Sequence, residues 1–281
     1  MFSERDISDY YQHTRVHYNR FWKISEGKSL NYGFWESDTK SLTEAFTNIN
    51  NAIIAMAGIT EEDTFLDAGC GVGGACTFIA KKVQCQGVGI TLNEQQRKDA
   101  EQNAIAQGVE DKCNFYLMNY CTTTFEDQSF DLIYGLESIC HATEKEDFLR
   151  EAYRLLKPGG TLLVIDYFKE EHLNDQQLSV LHKWLHAWAI KDIDTVSAFC
   201  NKATKVGFTS VNKTLKTPQI RKSSWLIYFF SILGTIPSVL YGLYNRKATH
   251  FGKHHTMAGI TQYRALKQNL WNYYIISAKK L

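Results

Sequence analysis

A glycine-rich turn at residues 67–74 is the part of this chain best suited to chemistry. An apolar run over residues 63–68 leads into the turn, and a helix-like run over residues 75–82 leaves it. Glycine lets the backbone approach a ligand closely and adopt φ values that other residues resist. A helix start adds N–H groups that have no partner within the helix. A strand, a tight turn and a helix in this order indicate a site for a nucleotide-type cofactor. The glycines are Gly69, Gly71, Gly73 and Gly74.

The spacing of these glycines separates two kinds of cofactor site. The dinucleotide fingerprint is G-x-G-x-x-G with an acid about 20 residues later, whereas this chain has G-x-G-x-G-G with Asp67 before the first glycine. That pattern resembles the first motif of class I S-adenosylmethionine (SAM) methyltransferases. The resemblance implies that SAM is the cofactor, that S-adenosylhomocysteine is the product, and that Asp67 supports the loop or the methionine ammonium. The loop alone leaves two alternatives open: a site for another nucleotide cofactor, or a purely structural turn capped by Asp67.

Composition narrows the class of protein. The 281 residues suffice for one α/β domain with additions, and 44% of them are hydrophobic. With 31 basic and 30 acidic residues the net charge is +1, which gives no general attraction to nucleic acid. Seven scattered cysteines without a CxxC pair argue against a zinc site, so no metal is predicted. We expect reduced thiols, a cytoplasmic location and, from the charged N-terminus, no signal peptide.

Apolar β-rich runs alternate with helix-like runs after residue 60, which predicts a parallel sheet with crossover helices. The resemblance implies a Rossmann-like α/β fold with a seven-stranded, mostly parallel sheet, helices on both faces and a helical lid. Predicted strands cover residues 64–68, 86–91, 113–118, 130–136, 160–167, 209–215 and 271–279. Predicted helices cover residues 74–82, 93–107 and 144–157, and residues 172–207 look helical. The sequence Lys157-Pro158-Gly159-Gly160 predicts a turn before the fifth strand.

Four segments are expected along the chain. They are an N-terminal helical lid (1–58), a SAM-binding α/β core (59–217), a helical apolar insertion that covers the acceptor (218–268) and the last strand of the core (269–281). Residues 225–244 lack charge and have the length of a membrane span, but Gly234, Pro237 and Gly242 interrupt them. We therefore expect either a buried lid or peripheral membrane contact at 225–244.

The ends of the second and third predicted strands carry polar residues where a nucleoside would bind. Residues 89–96 resemble a variant shared by tocopherol methyltransferases and cyclopropane fatty acid synthases, which implies that Thr91 and Gln96 hold the ribose hydroxyls. The resemblance also implies that Asn119 lies near the adenine amino group and that Tyr120 packs on the ring. The amide oxygen of Asn119 can accept that hydrogen bond, and an ordinary turn asparagine is the alternative.

The segment after the fourth strand is the second informative motif. Residues 137–142 read Glu-Ser-Ile-Cys-His-Ala, which closely resembles sterol C-24 methyltransferases, while tocopherol methyltransferases have Glu-Ser-x-x-His. Cyclopropane synthases have Glu-His where this chain has Cys140-His141. His141 is a candidate to take a proton from a hydroxyl or a carbon at neutral pH. Glu137 is a candidate to orient His141 or to support positive charge on the acceptor. Structural roles for both residues are the alternatives.

Aromatic residues crowd the first 35 positions, which also resemble sterol and tocopherol methyltransferases. Tyr11, Tyr18 and Tyr32 are candidates to hold the sulfonium by cation–π attraction of about 0.5–2 kcal/mol each, and ordinary packing is the alternative. The cofactor-binding residues implied in total are Asp67, Gly69, Cys70, Gly71, Gly73, Thr91, Leu92, Gln96, Asn119, Tyr120, Leu136, Tyr11, Tyr18 and Tyr32.

The resemblance implies an enzyme that methylates a small lipophilic acceptor with SAM, and the 137–142 segment favours C-methylation of a terpenoid, prenyl or sterol-like alkene. O- or C-methylation of a phenol or quinol is the alternative, because residues 32–36 resemble a box of tocopherol-type enzymes. A non-catalytic, SAM-binding and membrane-associated scaffold is the alternative of another class. A nucleic-acid methyltransferase is disfavoured because no proline follows Tyr134 in the motif position that enzymes acting on exocyclic amines often use.

Overall fold

One seven-stranded sheet organises the chain. In a computed structural model of the protein, the backbone is described for residues 31–244 and 246–281, and side chains for residues 31–234 and 257–281. The strands are β1 (Thr64–Ala68), β2 (Gln86–Thr91), β3 (Cys113–Leu117), β4 (Phe130–Leu136), β5 (Leu156–Lys169), β6 (Thr209–Leu215) and β7 (Trp271–Lys279). Their order across the sheet is β3-β2-β1-β4-β5-β7-β6. Only β7 runs antiparallel to its neighbours, β5 and β6. The predicted Rossmann-like, mostly parallel α/β fold is confirmed.

Helices connect and cover these strands. They are α1 (Leu42–Ala57), α2 (Gly74–Val83), α3 (Glu94–Gln107), α4 (Lys145–Leu155), α5 (Asp175–Ala187), α6 (Val196–Val206), α7 (Thr217–Tyr244) and α8 (Arg246–Lys267), with a short 3₁₀ turn at Ile139–His141. Local sequence signals set their ends. The side chains of Ser41, Asn93, Asn174 and Thr195 accept backbone N–H groups at helix starts, and Gly58 and Gly108 adopt left-handed φ at helix ends.

Alternate residues of β5 pack into two separate hydrophobic layers, one on each face of the sheet. Leu163, Ile165 and Tyr167 join a cluster with residues of α1, α2 and α5. Leu162 and Val164 join a second cluster with residues of α4 and α6. This period of two, combined with burial on both faces, explains why the strands read as unbroken apolar runs.

Two parts of the fold differ from the sequence-based expectation. Strand β5 begins at Leu156, four residues before the predicted strand, because Phe130 pairs with Leu156 and Leu132 pairs with Thr161. The expected turn at residues 157–160 is therefore an irregularity inside β5, where Gly159 has φ +81°. The expected N-terminal lid is described only from residue 31, and Tyr11 and Tyr18 lie outside the described residues.

Helices α7 and α8 form the segment between β6 and β7. Buried polar contacts hold them together: Ser224 Oγ donates to Gln262 Oε1 at 2.7 Å, and Gln262 Nε2 donates to the carbonyl of Ser224 at 2.8 Å. The rings of Tyr228 and Tyr263 lie 4.9 Å apart. Within the residues that the structure describes, no helix has both the length and the hydropathy needed to cross a membrane. A lid function for this helical pair stays a prediction.

Candidate active site

The candidate site lies at the carboxyl ends of β1, β2 and β4. The chain leaves β1 toward β2 and β3 and then returns to place β4 on the other side of β1. In open α/β sheets such a reversal leaves a crevice where ligands bind. The glycine turn follows β1, Thr91 ends β2, and Glu137 follows β4, so the fold brings three of the predicted motifs to one edge of the sheet.

The glycine turn has the backbone conformation that its sequence predicts. Gly69, Gly71 and Gly73 have φ of +97°, +54° and +76°, which residues with a Cβ resist. A Cβ added at Gly69 would lie 2.5 Å from Cβ of Ser138, and one at Gly73 would lie 2.8 Å from Cβ of Ala100. Glycine is therefore required by the protein's own packing at two positions, independently of any ligand.

Asp67, the last polar side chain of β1, is buried beneath the turn. Its Oδ2 accepts a hydrogen bond from the Tyr134 hydroxyl at 2.7 Å. Burial raises the pKa of Asp67 from 3.8 to about 7, although the hydrogen bond from Tyr134 favours the ionised form. A carboxyl group poised near neutrality can ionise when a cation binds close to it.

The structure brings Thr91 and Gln96 together at the end of β2. The Thr91 hydroxyl donates to Gln96 Oε1 at 2.8 Å. Gln96 lies in the first turn of α3, whose start is fixed by the side chain of Asn93 accepting the Gln96 N–H at 3.0 Å. Leu92, between the strand and the helix, is half-buried. The pair is thus held in the place where the resemblance implies ribose contacts.

Asn119 and Tyr120 follow β3 and make contacts within the protein. Oδ1 of Asn119 accepts the N–H of Cys121 at 2.8 Å, as a turn asparagine does. The Tyr120 ring packs edge-on against Phe148, with ring centres 5.5 Å apart. The Tyr120 hydroxyl donates to the carbonyl of Ser138 at 2.9 Å, which ties this loop to the segment after β4. Adenine contacts for both residues stay a prediction.

Glu137 directly follows β4 and has a constrained backbone conformation. Its φ is +52°, a value uncommon for a residue with a side chain. Oε1 accepts the Tyr32 N–H at 2.8 Å and the Tyr273 hydroxyl at 2.7 Å, and Oε2 accepts the Tyr167 hydroxyl at 2.7 Å. Burial raises the pKa of Glu137 from 4.5 to about 7, against the opposing effect of these three donors.

Six aromatic side chains pack on one another beside this carboxylate, and two of them, Tyr167 and Tyr273, donate their hydroxyls to it. We call Tyr32, Tyr167, Trp184, Trp188, Trp271 and Tyr273 the aromatic cluster. The Tyr32 ring lies 5.9 Å from that of Tyr167 and 6.1 Å from that of Tyr273, both edge-on. The Tyr32 hydroxyl donates to Gln262 Oε1 at 2.9 Å. Tyr32 is therefore buried between the sheet and α8, where it supports Glu137, and contact with a sulfonium stays a prediction.

His141 ends the 3₁₀ turn that follows Glu137. Burial lowers the pKa of His141 from 6.5 to about 4, and the charge of Lys145 lowers it further, against a hydrogen bond with the backbone of Ala189. The imidazole is accordingly neutral at physiological pH. A neutral imidazole can accept a proton, but it is a weak base when its conjugate acid has so low a pKa.

Two residues that sequence reasoning missed hold this turn in place. The buried Lys145 Nζ donates to the carbonyls of Cys140 and Ala142 at 2.8 and 2.6 Å. Asp166 Oδ2 accepts the Cys140 N–H at 2.8 Å, and burial raises the pKa of Asp166 to about 6. A signal existed for Asp166, since it is the one acid in the apolar run of β5. Nothing in the sequence distinguishes Lys145 from the exposed lysines.

A comparison with known protein families identifies the kind of domain that contains the candidate site. A methyltransferase domain family matches residues 66–164, which run from β1 through β5 and include both predicted motifs. Residues 66–164 form a methyltransferase domain. SAM is the cofactor of this family. Solved methyltransferases with the same fold have been crystallised with SAM or with its product S-adenosylhomocysteine.

Individual relatives agree on the methyltransferase domain and differ in the acceptor. Sterol 24-C-methyltransferase of Kluyveromyces lactis is 29% identical over 73% of this chain and 56% of its own length. Chloroplastic tocopherol O-methyltransferase of Arabidopsis thaliana is 28% identical over 67% of this chain and 60% of its own length. The chain thus spans a little more than half the length of these relatives. The structure of the cyclopropane synthase MmaA2 of Mycobacterium tuberculosis superimposes with a TM-score of 0.84 at 15% identity, covering 99% of this chain and 98% of that one.

We predict that Gly71→Val weakens SAM binding at least about tenfold, a change of 1.4 kcal/mol or more. Valine resists the φ of +54° at this position and adds side-chain volume to the turn. Isothermal titration calorimetry with SAM measures the effect. Gly108→Ala is the matched control, because Gly108 also has a positive φ but a Cβ there meets nothing within 4 Å. Unchanged affinity in Gly71→Val would remove the turn from the cofactor site.

Asp67 predicts a specific pH dependence of stability. Its carboxyl binds a proton in the folded protein up to a pKa of about 7, while in the unfolded chain it releases that proton near 3.8. This group therefore makes the free energy of unfolding fall by on the order of 4 kcal/mol as pH rises from 4 to 8. Asp67→Asn should remove this part of the slope in urea denaturation at several pH values. Equal slopes in the two proteins would contradict the buried, protonated state.

Proposed function

We propose that this protein is a SAM-dependent methyltransferase that transfers a methyl group to a carbon of a small lipophilic acceptor, an alkene of the terpenoid, prenyl or sterol-like class. One observation carries the proposal: a buried carboxylate with three hydrogen-bond donors contacts a cluster of six packed aromatic side chains, and a neutral histidine ends the 3₁₀ turn that follows it. Such surroundings suit a transient carbocation on the apolar part of an acceptor.

The donor would be held by residues at the edge of the sheet. The glycine turn at Gly69–Gly73 would accept the methionine part, and Asp67, once ionised, would pair with its ammonium group. Thr91 and Gln96, joined by their 2.8 Å hydrogen bond, would present polar atoms to the ribose. Bound SAM supplies an electrophilic methyl group on sulfur. Burial of Asp67 and Thr91 would keep water from the donor, and alignment of donor and acceptor without water is the main requirement of an in-line transfer.

Glu137 and the aromatic cluster would act on the acceptor. When an alkene carbon takes the methyl group, two π electrons would form the new C–C bond while the S–CH₃ bond of SAM breaks and S-adenosylhomocysteine leaves. The neighbouring carbon of the acceptor would then be positively charged. An ionised Glu137 would stabilise that charge, and aromatic faces would add cation–π attraction. The hydroxyls of Tyr167 and Tyr273 hold the carboxylate in place at 2.7 Å each. Loss of a proton from a carbon next to the cation then restores an alkene.

The protonation state of His141 favours methylation of an alkene carbon over methylation of a phenol. A proton on carbon beside a carbocation is strongly acidic, so a neutral imidazole whose pKa is about 4 suffices to remove it. A phenol, with a pKa near 10, needs a base whose pKa lies closer to neutrality. His141 matches the first task and is poorly matched to the second.

A phenol or quinol acceptor is the second candidate, and Glu137 is the observation that favours it. Its pKa of about 7 suits a general base that takes a phenolic proton at neutral pH. The tocopherol relative, whose name specifies O-methylation, also supports this reading. A non-catalytic scaffold that only binds SAM is the candidate of another class, and it predicts no turnover with any acceptor. A cytoplasmic location is proposed from the seven cysteines, which form no disulfide among the residues described.

Product analysis separates these functions. The purified protein is incubated with labelled SAM and one acceptor at a time: a prenyl diphosphate, a sterol or a quinol. The products are identified by mass spectrometry and NMR. We expect methylation of an alkene carbon. A product methylated only on a phenolic oxygen would establish the second candidate, and SAM binding without turnover on any acceptor would support the scaffold.

We predict that His141→Ala leaves SAM binding unchanged and lowers turnover at least about tenfold, because the proton acceptor is lost while the cofactor edge is untouched. Glu137→Gln should also lower turnover, since it keeps the shape of the side chain but removes the charge and replaces one accepting oxygen with an NH₂ donor. His186→Ala is the matched control, because His186 is exposed on α5. Steady-state rates and calorimetry measure both effects. Normal turnover in His141→Ala would give His141 a structural role only.

A further inference from the structure

Helix α7 carries an exposed apolar stripe on one face. Trp225, Phe229, Ile232 and Leu233 make up the stripe, and between 41% and 54% of each is exposed. Their spacing of four, seven and eight residues places them side by side on a helix. The rings of Trp225 and Phe229 stack with centres 5.4 Å apart. Large apolar side chains grouped in this way on a protein surface mark an interaction site.

The opposite face of α7 is fixed, so the stripe cannot turn inward. Ser223 and Ser224 are fully buried. Trp35 Nε1 donates to Ser223 Oγ at 2.7 Å, and Ser224 exchanges two hydrogen bonds with Gln262 of α8. Rolling the stripe toward the core would break these buried polar contacts, each of which is expensive to leave unmade. The outward direction of the stripe is therefore built into the fold.

The charges of the chain are strongly divided between its two parts. All 30 acidic residues precede residue 195, whereas residues 195–281 contain 13 lysines and arginines and no acid. Arg221 is exposed one helical turn before Trp225, on the same side of α7. Lys222 lies over the Trp35 ring, with its Nζ 3.8 Å from the ring centre. Residues 195–281, which we call the basic region and which include α7, thus carry a net positive charge although the whole chain is near neutral.

We propose that the apolar stripe of α7 docks on an anionic lipid bilayer. Aromatic and aliphatic side chains beside basic residues are the composition of helices that lie in the membrane interface, and basic residues strengthen binding to anionic lipids. The acid-free basic region selects a negatively charged surface, and the exposed Trp225 and Phe229 select one into which apolar groups can insert. Nucleic acid satisfies only the first requirement. This docking is independent of methyl transfer and requires no membrane-spanning helix.

Vesicle flotation with the full chain tests this proposal. Vesicles of phosphatidylcholine alone are compared with vesicles that also contain phosphatidylserine, at low and high salt. We expect the protein to float with the anionic vesicles, to bind neutral vesicles roughly tenfold less, and to be released by salt. No binding to either vesicle, or equal binding to both at all salt concentrations, would overturn the proposal.

Variants locate the contact. Trp225→Ser combined with Phe229→Ser should weaken partition into anionic vesicles by roughly tenfold or more, and Arg221→Glu should weaken it for anionic vesicles only. Ile105→Ser is the control, because Ile105 is a 54% exposed apolar residue on α3, outside the basic region. Circular dichroism and SAM titration confirm that each variant is folded. Normal vesicle binding by the double variant would contradict the proposal. It would also be contradicted if the wild-type protein binds no vesicles and is a dimer in light scattering that the double variant converts to a monomer.

Discussion

The carboxylate of Glu137 is the constraint on which the candidate site depends. It receives hydrogen bonds from the Tyr32 backbone, from Tyr167 of β5 and from Tyr273 of β7, residues that lie up to 136 positions away along the chain. These bonds join the segment before α1 and the antiparallel strand β7 to the end of β4. They also explain how the backbone of Glu137 is held at φ +52°, since strained conformations persist where surrounding contacts over-determine them. Removing the carboxylate would leave three buried donors unsatisfied, which is why the aromatic cluster and the carboxylate belong together.

Burial sets the protonation states along the same edge of the sheet. The carboxyls of Asp67, Glu137 and Asp166 have pKa values raised to about 7, 7 and 6 by loss of solvent. The same loss lowers the pKa of His141 to about 4. At neutral pH Asp67 and Glu137 are therefore partly protonated, Asp166 is largely ionised and His141 is neutral. A cation entering this region would favour ionisation of the nearest carboxyl, so charge on the protein and charge on a ligand would appear together. This coupling suits a donor that carries a sulfonium and an acceptor that becomes cationic.

The sequence predicts local features of this protein well and distant ones poorly. The strand, glycine turn and helix at residues 64–83 follow from apolar runs and glycine spacing within twenty residues, and the structure has them with the expected φ values. The Thr91 and Gln96 pair is also local, because Thr91 ends β2 and Gln96 lies in the first turn of α3, which begins three residues later. The partners of Glu137 could not be predicted, since Tyr167 and Tyr273 meet only through the pairing of β5 with β7. Strand β5 begins earlier than expected because residues 157–160 loop out of the ladder without ending it. The role of Lys145 depends on carbonyls gathered by a 3₁₀ turn, for which the sequence has no pattern.

The central claim is that the Glu137 carboxylate and its aromatic cluster stabilise positive charge on the acceptor. The most direct measurement compares two ligands in the presence of S-adenosylhomocysteine: a prenyl chain with a tertiary ammonium at the position of the cation, and its neutral hydrocarbon isostere. Calorimetry on the wild-type protein and on Glu137→Gln gives four affinities. The account predicts that the ammonium ligand binds the wild-type protein at least about tenfold more tightly than its isostere, and that Glu137→Gln removes most of this preference. Equal affinities for the two ligands, or a preference that survives in Glu137→Gln, would contradict it.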